Sequence, residues 1–427
     1  MPLTRPEYRE RLIDKKVCDY LKIFGAVNIE GPKWCGKTWT SLNHAESVVY
    51  IGNPENNFQN RAMAELNPVL VLDGKFPRLI DEWQEVPELW DAVRFQVDKD
   101  GLKGKFILTG SATPQHKGIL HSGTGRIGRL KMRTMSLFES GDSSGKISLK
   151  EIFYNKIEPV YVEGNTLENL INLTIRGGWP GSLGLDINLS QELSVAYLKN
   201  VIEDDMYKLD GIKRDYKKVK LFLKSLARNE STVVSNRTLK NDLMEHEGEN
   251  IDVNTIADYL NIFNRLFLIE DQPAYSPNIR SSIRVGKSPK RHFIDPSLAI
   301  AALGANYNML YNDLNTFGLL FESLCIRDLK CYAEVDGGKV FHYRDEKGRE
   351  ADAIVELNNG KWGVFEIKLG ANQIDDAAKK LLELNKFFIE NKKSEPPSVL
   401  GVITGIGNMA YTREDGVSVI PITALKN

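Results

Sequence analysis

The chain has 427 residues, 42% hydrophobic and 26% charged, with a formal net charge of −1. That length exceeds one ordinary hydrophobic core and predicts two or three domains. The charge balance excludes a polycation, so nucleic-acid contact would have to come from local basic patches. No stretch approaches membrane-spanning length. Four scattered cysteines (Cys18, Cys35, Cys325, Cys331) lack CxxC spacing and clustered histidines. They argue against a zinc site and for a reducing, cytoplasmic setting.

Gly25-Ala26-Val27-Asn28-Ile29-Glu30 reads as a short buried strand, and Trp39-Thr40-Ser41-Leu42 continues a helix. Between them, Gly31-Pro32-Lys33-Trp34-Cys35-Gly36-Lys37-Thr38 is a full GxxxxGK[ST] phosphate loop in the strand–loop–helix order the motif demands. Its glycines let backbone N–H groups turn toward phosphates. Lys37 is expected to reach the β- and γ-phosphates and the Thr38 hydroxyl to ligate Mg²⁺. The helix dipole also faces the anion. The nucleotide-contacting set therefore runs from Gly31 to Trp39.

Arg78-Leu79-Ile80-Asp81-Glu82 is a second buried strand, ending in an acidic pair. Asp81 is expected to hold Mg²⁺ through water, and Glu82 to orient and polarise the attacking water. Pro87 starts a helix whose Leu89, Val93 and Val97 form a buried stripe. Lys105-Phe106-Ile107-Leu108-Thr109-Gly110-Ser111 is a third buried strand; Thr109 and Ser111 sit where a γ-phosphate sensor would. The glycine-rich Ser122–Arg129 segment lacks strand-to-helix context and presents Arg126 and Arg129. Either is a candidate to stabilise transition-state charge, in the same subunit or a neighbour. The other reading is a surface arginine paired with a carboxylate.

Taken in order, the phosphate loop, Leu79-Ile80-Asp81-Glu82-Trp83-Gln84, Ile107-Leu108-Thr109-Gly110-Ser111 and Gly125-Arg126 resemble the AAA-type ATPases of bacteria and archaea. Many of these carry a C-terminal domain of unknown function. Arg176-Gly177-Gly178-Trp179-Pro180 and His292-Phe293-Ile294-Asp295-Pro296 also look like that family. The resemblance implies ATP as the nucleotide and self-association as a homo-oligomer. The sequence lacks a strong single arginine-finger motif, so the choice between Arg126 and Arg129 stays open.

Farther along, Ser140–Gly145 is a loop by composition and Gly177–Gly181 a tight turn. Gln191–Tyr207 is helical in pattern. Val219, Phe222, Leu223 and Leu226 mark one helix face. Ser235 can cap a second helix, with Leu239 and Leu243 inward, and Asp252 a third, carrying Ile256, Tyr259, Leu260 and Phe263. Leu266–Glu270 then begins a strand. Three helices followed by a β-ribbon outline a winged helix. The third helix exposes Asn254, Thr255, Asp258, Asn261 and Asn264, a poor phosphate-binding surface. Lys213, Arg214, Lys217, Lys218 and Lys220 precede the module, and Arg280, Arg284, Lys287, Lys290 and Arg291 lie in or after the wing. These cations are read as DNA contacts or as solvated faces, and the module alternatively as an internal lid.

Near the end, Arg349–Glu356 alternates like a strand, Asn358-Asn359-Gly360 makes a hairpin turn, and Lys361–Lys368 returns. Asp352 and Glu366 then lie on adjacent strands and can converge on one divalent metal, with Lys368 on the same face as Glu366. Val364, Phe365 and Ile367 make this strand look buried rather than an exposed hairpin with paired charges. The D…(D/E)-x-K arrangement resembles restriction-endonuclease-like folds. That resemblance implies a second Mg²⁺ or a Mn²⁺ held by the two carboxylates and a lysine that helps activate water. Glu322, in the helix Thr316–Leu324, is placed as another acidic ligand, and Gln373 as a supporting residue.

The expected chain is α/β. It has an AAA-type ATPase core with a parallel sheet over residues 1–140 and a helical linker region over 141–210. A winged-helix-like module over 211–300 and a restriction-endonuclease-like domain over 301–427 follow. The expected activity is Mg-dependent ATP hydrolysis coupled to a nuclease-like domain acting on or near DNA. The alternative is an ATP-driven switch or scaffold whose nuclease-like domain only binds protein or nucleic acid. A winged-helix regulator of transcription is a third reading, disfavoured by the uncharged third helix.

Overall fold

The computed structural model describes residues 3–113, 119–248, 251–278, 288–391 and 395–427. Among them, β1 (Ala26–Glu30), β2 (Ser47–Tyr50), β3 (Arg78–Asp81), β4 (Phe106–Gly110) and β5 (Ile127–Lys131) form a parallel sheet in the order β2-β3-β4-β1-β5. Parallel strands need crossovers on both faces, so both faces are buried. Alternate residues of the same strands enter two cores. Ala26, Ile80, Phe106 and Leu108 pack with Leu89, Val93 and Val97 of the helix Glu88–Asp100. Val27, Ile29, Leu79 and Ile107 pack with Val17 and Leu42 of the helices Asp14–Ile23 and Lys37–Asn43.

The stretch expected to be a helical linker begins with two short strands, β6 (Ile147–Ser148) and β7 (Val160–Tyr161). The helices Leu167–Arg176 and Ile187–Asn200 follow. The second continues through a π-helical turn, Val201–Asp205, into the helix Met206–Asp210.

Three helices come next, Tyr216–Arg228, Asn236–Glu247 and Val253–Arg265, capped by Asp215, Ser235 and Asp252. β8 (Thr232–Val233) lies between the first two, and β9 (Ile269–Gln272) and β10 (Lys290–Phe293) follow the third; they form an antiparallel sheet ordered β8-β10-β9. The strand expected from Leu266 starts later, because Phe267 takes a positive φ of 54° in a turn. Arg280, Arg284 and Lys287 lie outside the described residues.

The helix Leu314–Val335 leads into β11 (Lys339–Arg344), β12 (Glu350–Glu356) and β13 (Trp362–Lys368), and the helix Ile374–Asn391 precedes β14 (Val399–Thr404). After β15 (Met409–Thr412), β16 (Ser418–Pro421) and β17 (Leu425–Lys426), the sheet reads β11-β12-β13-β14-β16-β15-β7, and β6 pairs with β17. The start of the expected linker thus completes the C-terminal sheet. Its two-residue strands carry no readable period. One continuous core, from Leu137 through Phe222 and Phe263 to Phe365 and Leu425, joins the middle helices to the C-terminal sheet. The five-stranded parallel sheet keeps its own two cores.

Candidate functional site

The turn after β1 is built for close approach. A Cβ on Gly31 would lie 2.1 Å from the Met132 carbonyl oxygen, and Gly36 has φ +106°. Lys37 Nζ donates to the carbonyls of Gly31 (3.0 Å) and Pro32 (2.7 Å). Thr38 Oγ1 donates to Asp81 Oδ1 at 2.8 Å, and Thr109 Oγ1 donates to the same oxygen at 2.7 Å. Glu82 N donates to Thr109 Oγ1 at 3.0 Å, and Ser111 Oγ donates to Glu82 Oε2 at 2.9 Å, an oxygen that Gln84 also bonds. Burial pushes the Asp81 carboxyl up, while hydrogen bonds from Thr109 and Thr38 oppose that rise. Thr38 and Asp81 present adjacent hard oxygen donors, a set that suits Mg²⁺.

Lys37, Thr38 and Glu82, with Lys33, Trp34 and Trp39, line an open cleft of about 1040 Å³. Cys35 points inward and is fully buried in the core. The other wall comes from two segments that the sequence does not place at the nucleotide: Tyr8, Arg9 and Arg11 ahead of β1, and Trp179, Pro180 and Leu193 of the middle region. Arg11 braces the loop. Its guanidinium reaches the carbonyls of Cys35 (2.7 Å) and Arg133 (3.0 Å) and pairs with Glu139 at 2.9 Å. Lys33 Nζ lies 2.5 Å from Asp205 in the π-helical turn, and the Trp34 ring meets Tyr197 edge-on.

Neither expected arginine reaches this cleft in its own subunit. Arg126 immediately precedes β5, whose first residue Ile127 pairs with Ala26 at the strand start. It therefore lies at the end of the strands away from the phosphate loop, paired with Asp98 at 2.6 Å. Arg129 sits opposite Asn28 within β5 and stacks over Trp90 at 4.8 Å. The same-subunit role is corrected for both: parallel pairing fixes the start of β5 away from the loop end of β1.

The two later signature stretches meet in the interior. Asp295 Oδ2 accepts from Thr134 Oγ1 (2.7 Å), Gly178 N (2.9 Å) and Arg327 Nη1 (2.9 Å). Trp179 Nε1 donates to Ser297 Oγ at 3.0 Å. Burial alone would raise Asp295, but Arg327 and these hydrogen bonds hold its carboxyl below the usual range. These residues join the phosphate-loop domain to the rest, and through Trp179 and Pro180 the first stretch also reaches the wall of the cleft.

The C-terminal cluster assembles as the spacing implies. Asp352 and Glu366 stand opposite one another, one step beyond the Ala353–Phe365 pair. Lys368 Nζ lies 2.7 Å from Glu366 Oε2 and 3.3 Å from Asp352 Oδ2. Glu322 also arrives, but with a lysine: Lys290 Nζ is 2.7 Å from Glu322 Oε1 and 3.7 Å from Asp352 Oδ1. Lys380 pairs with Glu366 at 3.0 Å. Burial and then the Asp352 charge push the Glu322 carboxyl up to about 8 and raise Glu366 as well. Asp352 is held low, against its burial, by Lys290 and Lys368.

Three carboxylates thus face three ammonium groups, and a second Mg²⁺ or a Mn²⁺ does not fit the cluster as it stands. Among the described residues no group of three or more His, Cys, Asp or Glu is arranged to hold a metal ion. Gln373 turns away and accepts from the Gly370 N–H at 3.1 Å, capping its own turn. Lys290, expected as a wing cation, is largely buried, because it shares a strand face with His292. Among the described residues no helix is long and apolar enough to cross a membrane.

Residues 24–140 match the family model described as an AAA domain. Residues 167–308 and 317–425 match two domains of unknown function, DUF8612 and DUF4143. Uncharacterised proteins of Mycobacterium bovis and Mycobacterium tuberculosis are each 24% identical over 346 residues, spanning 80% of this chain and 70% of theirs. A Walker-type ATPase of Pyrococcus abyssi aligns at 13% identity and TM-score 0.42, over 70% of this chain and 97% of that one. Cdc6p of Pyrobaculum aerophilum aligns at 13% identity and TM-score 0.22, over 73% and 97%. The five-stranded parallel sheet, the loop that follows β1 and the AAA family match agree: residues 24–140 form an AAA-type P-loop ATPase domain.

Proposed function

We propose that this chain binds and hydrolyses ATP with Mg²⁺ and uses the cycle to act on its own C-terminal unit, on or near DNA. The observation that carries the reading is the shared carboxylate: Thr38 and Thr109 both bond Asp81, with Glu82 next in sequence on the open cleft. Thr38 and Asp81 would hold the Mg²⁺, which when bound neutralises charge on the β- and γ-phosphates. The residues of Gly31–Trp39 that face the cleft cradle the phosphates. Lys37 leaves two neutral carbonyls for anionic oxygens, a stronger partner. Glu82 orients the attacking water once Ser111 and Gln84 release it, and Thr109 ties the Glu82 backbone N–H to the Asp81 carboxylate. Arg126 or Arg129 enters only on a neighbouring subunit's nucleotide, in a homo-oligomer. Glu82→Gln is expected to keep ATP binding and to slow phosphate release about 100-fold or more. Full turnover in that variant would sink the role given to Glu82.

For the C-terminal unit, the element order helix, three strands, helix, strand and the convergence of Glu322, Asp352, Glu366 and Lys368 support a restriction-endonuclease-like reading. The three helices and three-stranded sheet before it support a winged-helix-like module. A second reading, a switch or scaffold that binds without cutting, is favoured by the lysines on all three carboxylates. Supercoiled plasmid incubated with Mg²⁺ or Mn²⁺, with and without ATP, separates the two. Nicking that Lys368→Ala abolishes supports the nuclease; intact plasmid throughout leaves the switch.

A further inference from the structure

The carboxylates Glu322, Asp352 and Glu366 come from the C-terminal unit, but the cation between the first two does not. Lys290 belongs to β10 of the preceding module. Its ammonium lies 2.7 Å from Glu322 and 3.7 Å from Asp352, and its side chain is only 14% exposed. A lysine seldom sits so deep without a charge that demands it. Lys368 and Lys380 already serve Glu366, and Lys368 reaches Asp352. Glu322 relies on Lys290.

We infer that Lys290 is a latch: it occupies, as an internal cation, the place of a divalent metal between Glu322 and Asp352, so that the middle module holds the C-terminal site closed. The inference rests on the restriction-endonuclease-like reading of that site. The strands around the latch are shaped for such a contact. Gln272, across from Lys290 on β9, donates to the Phe341 and Asp352 carbonyls at 2.9 Å each. The following residues bond β11, with Tyr275 N donating to His342 O at 2.7 Å. The same strand is gripped from the ATPase side. Glu270 on β9 accepts from Lys131 at 2.7 Å and from Arg133 at 2.8 Å, and Lys131 ends β5 opposite Glu30, beside the phosphate loop. One small sheet therefore touches both the nucleotide domain and the latched carboxylates. Repacking of such an interface between two discrete arrangements would open the site.

Mn²⁺ titration of the nucleotide-free full chain, read by the electron paramagnetic resonance of free Mn²⁺, tests the latch. Lys290→Met keeps the apolar stem and deletes the charge. It is expected to bind one additional Mn²⁺ per chain, about tenfold or more tighter than the wild type binds it. Adding Asp352→Asn is expected to abolish the gain. Lys290→Gln, which still donates to Glu322, is expected to show the same gain in smaller measure. Folded Met or Gln variants that bind no more Mn²⁺ than wild type overturn the latch, as does a gain that survives Asp352→Asn. If neither variant folds, Lys290 is a structural ion pair and the latch falls. Metal gained without plasmid cleavage leaves the latch standing and removes the nuclease reading. Cleavage by wild type without any gain in the variants does the reverse.

Discussion

At the phosphate loop, Lys37 rests on two backbone carbonyls and faces an open cleft. At the C-terminal cluster, Lys368 lies between two carboxylates while Lys290 and Lys380 engage their remaining oxygens. Carbonyls are neutral acceptors, and an anionic ligand displaces them with little loss. Carboxylates in a buried setting release a lysine only to another cation, since an unpaired buried charge is strongly unfavourable. The comparison teaches that an assembled motif and an available site are different things. The first site is prepared for a ligand, and the second needs a movement before it can accept one.

The sharpest way to break this contrast is to remove the free lysine. Lys37→Ala is expected to weaken ATP binding by about 100-fold or more, because several charge-assisted hydrogen bonds to phosphate vanish. Its melting midpoint should stay near that of wild type, because the folded protein loses only contacts to neutral carbonyls. Fluorescent-nucleotide titration and a thermal scan check both halves. A large loss of stability with unchanged binding would mean that Lys37, like Lys368, is committed to the fold.

The ATPase half of this contrast was legible in the sequence. β1, the loop and the Asp81-Glu82 strand end are local: apolar runs, glycine positions and an acidic pair state them without knowledge of the rest. The hairpin that brings Asp352 opposite Glu366 is equally local, set by Asn358-Asn359-Gly360. What stayed hidden depends on which segments meet in space. Arg11 on the Arg133 carbonyl, Lys33 on Asp205 and β7 at the far edge of the C-terminal sheet are contacts over more than a hundred residues, or between elements too short to show a period. Lys290 did leave a trace. It alternates with His292 and Ile294 along a strand, which puts it on the inward face, yet a run of nearby cations reads more readily as a solvated surface.

A smaller effect sharpens the contrast on the closed side. Behind Glu322, Glu230 is buried and accepts from Ser323 Oγ at 2.6 Å and Phe293 N at 3.0 Å. Burial pushes its carboxyl from 4.5 up to about 8, against those hydrogen bonds. The folded state therefore keeps a proton that the unfolded chain has already lost. Stability from this group is fully present below pH 4.5 and declines as pH rises toward 8, by about 1.4 kcal/mol per unit at most. Glu230→Gln is expected to flatten that decline. Urea denaturation of both proteins at pH 5.5 and 7.5 reads it: the stability difference should favour the variant more at the higher pH. Parallel pH profiles would mean that Glu230 is already ionised in the folded protein.

The smallest expected effect concerns the arginine on the far side of the ATPase sheet. Arg126 is half exposed and its pair with Asp98 is a surface contact, screened by water and salt. Arg126→Ala should leave the melting midpoint and the turnover of dilute protein unchanged, since nothing at the cleft touches it. The informative variable is protein concentration. If wild-type turnover per chain climbs with concentration while the variant's stays flat, Arg126 completes a neighbour's nucleotide site, and the open cleft is only half of a catalytic site. If both stay flat, Arg126 is a surface cation, and the charge that stabilises the transition state comes from Arg129 of a neighbour or from cations already lining the cleft, among them Lys37 and, once released from Asp205, Lys33.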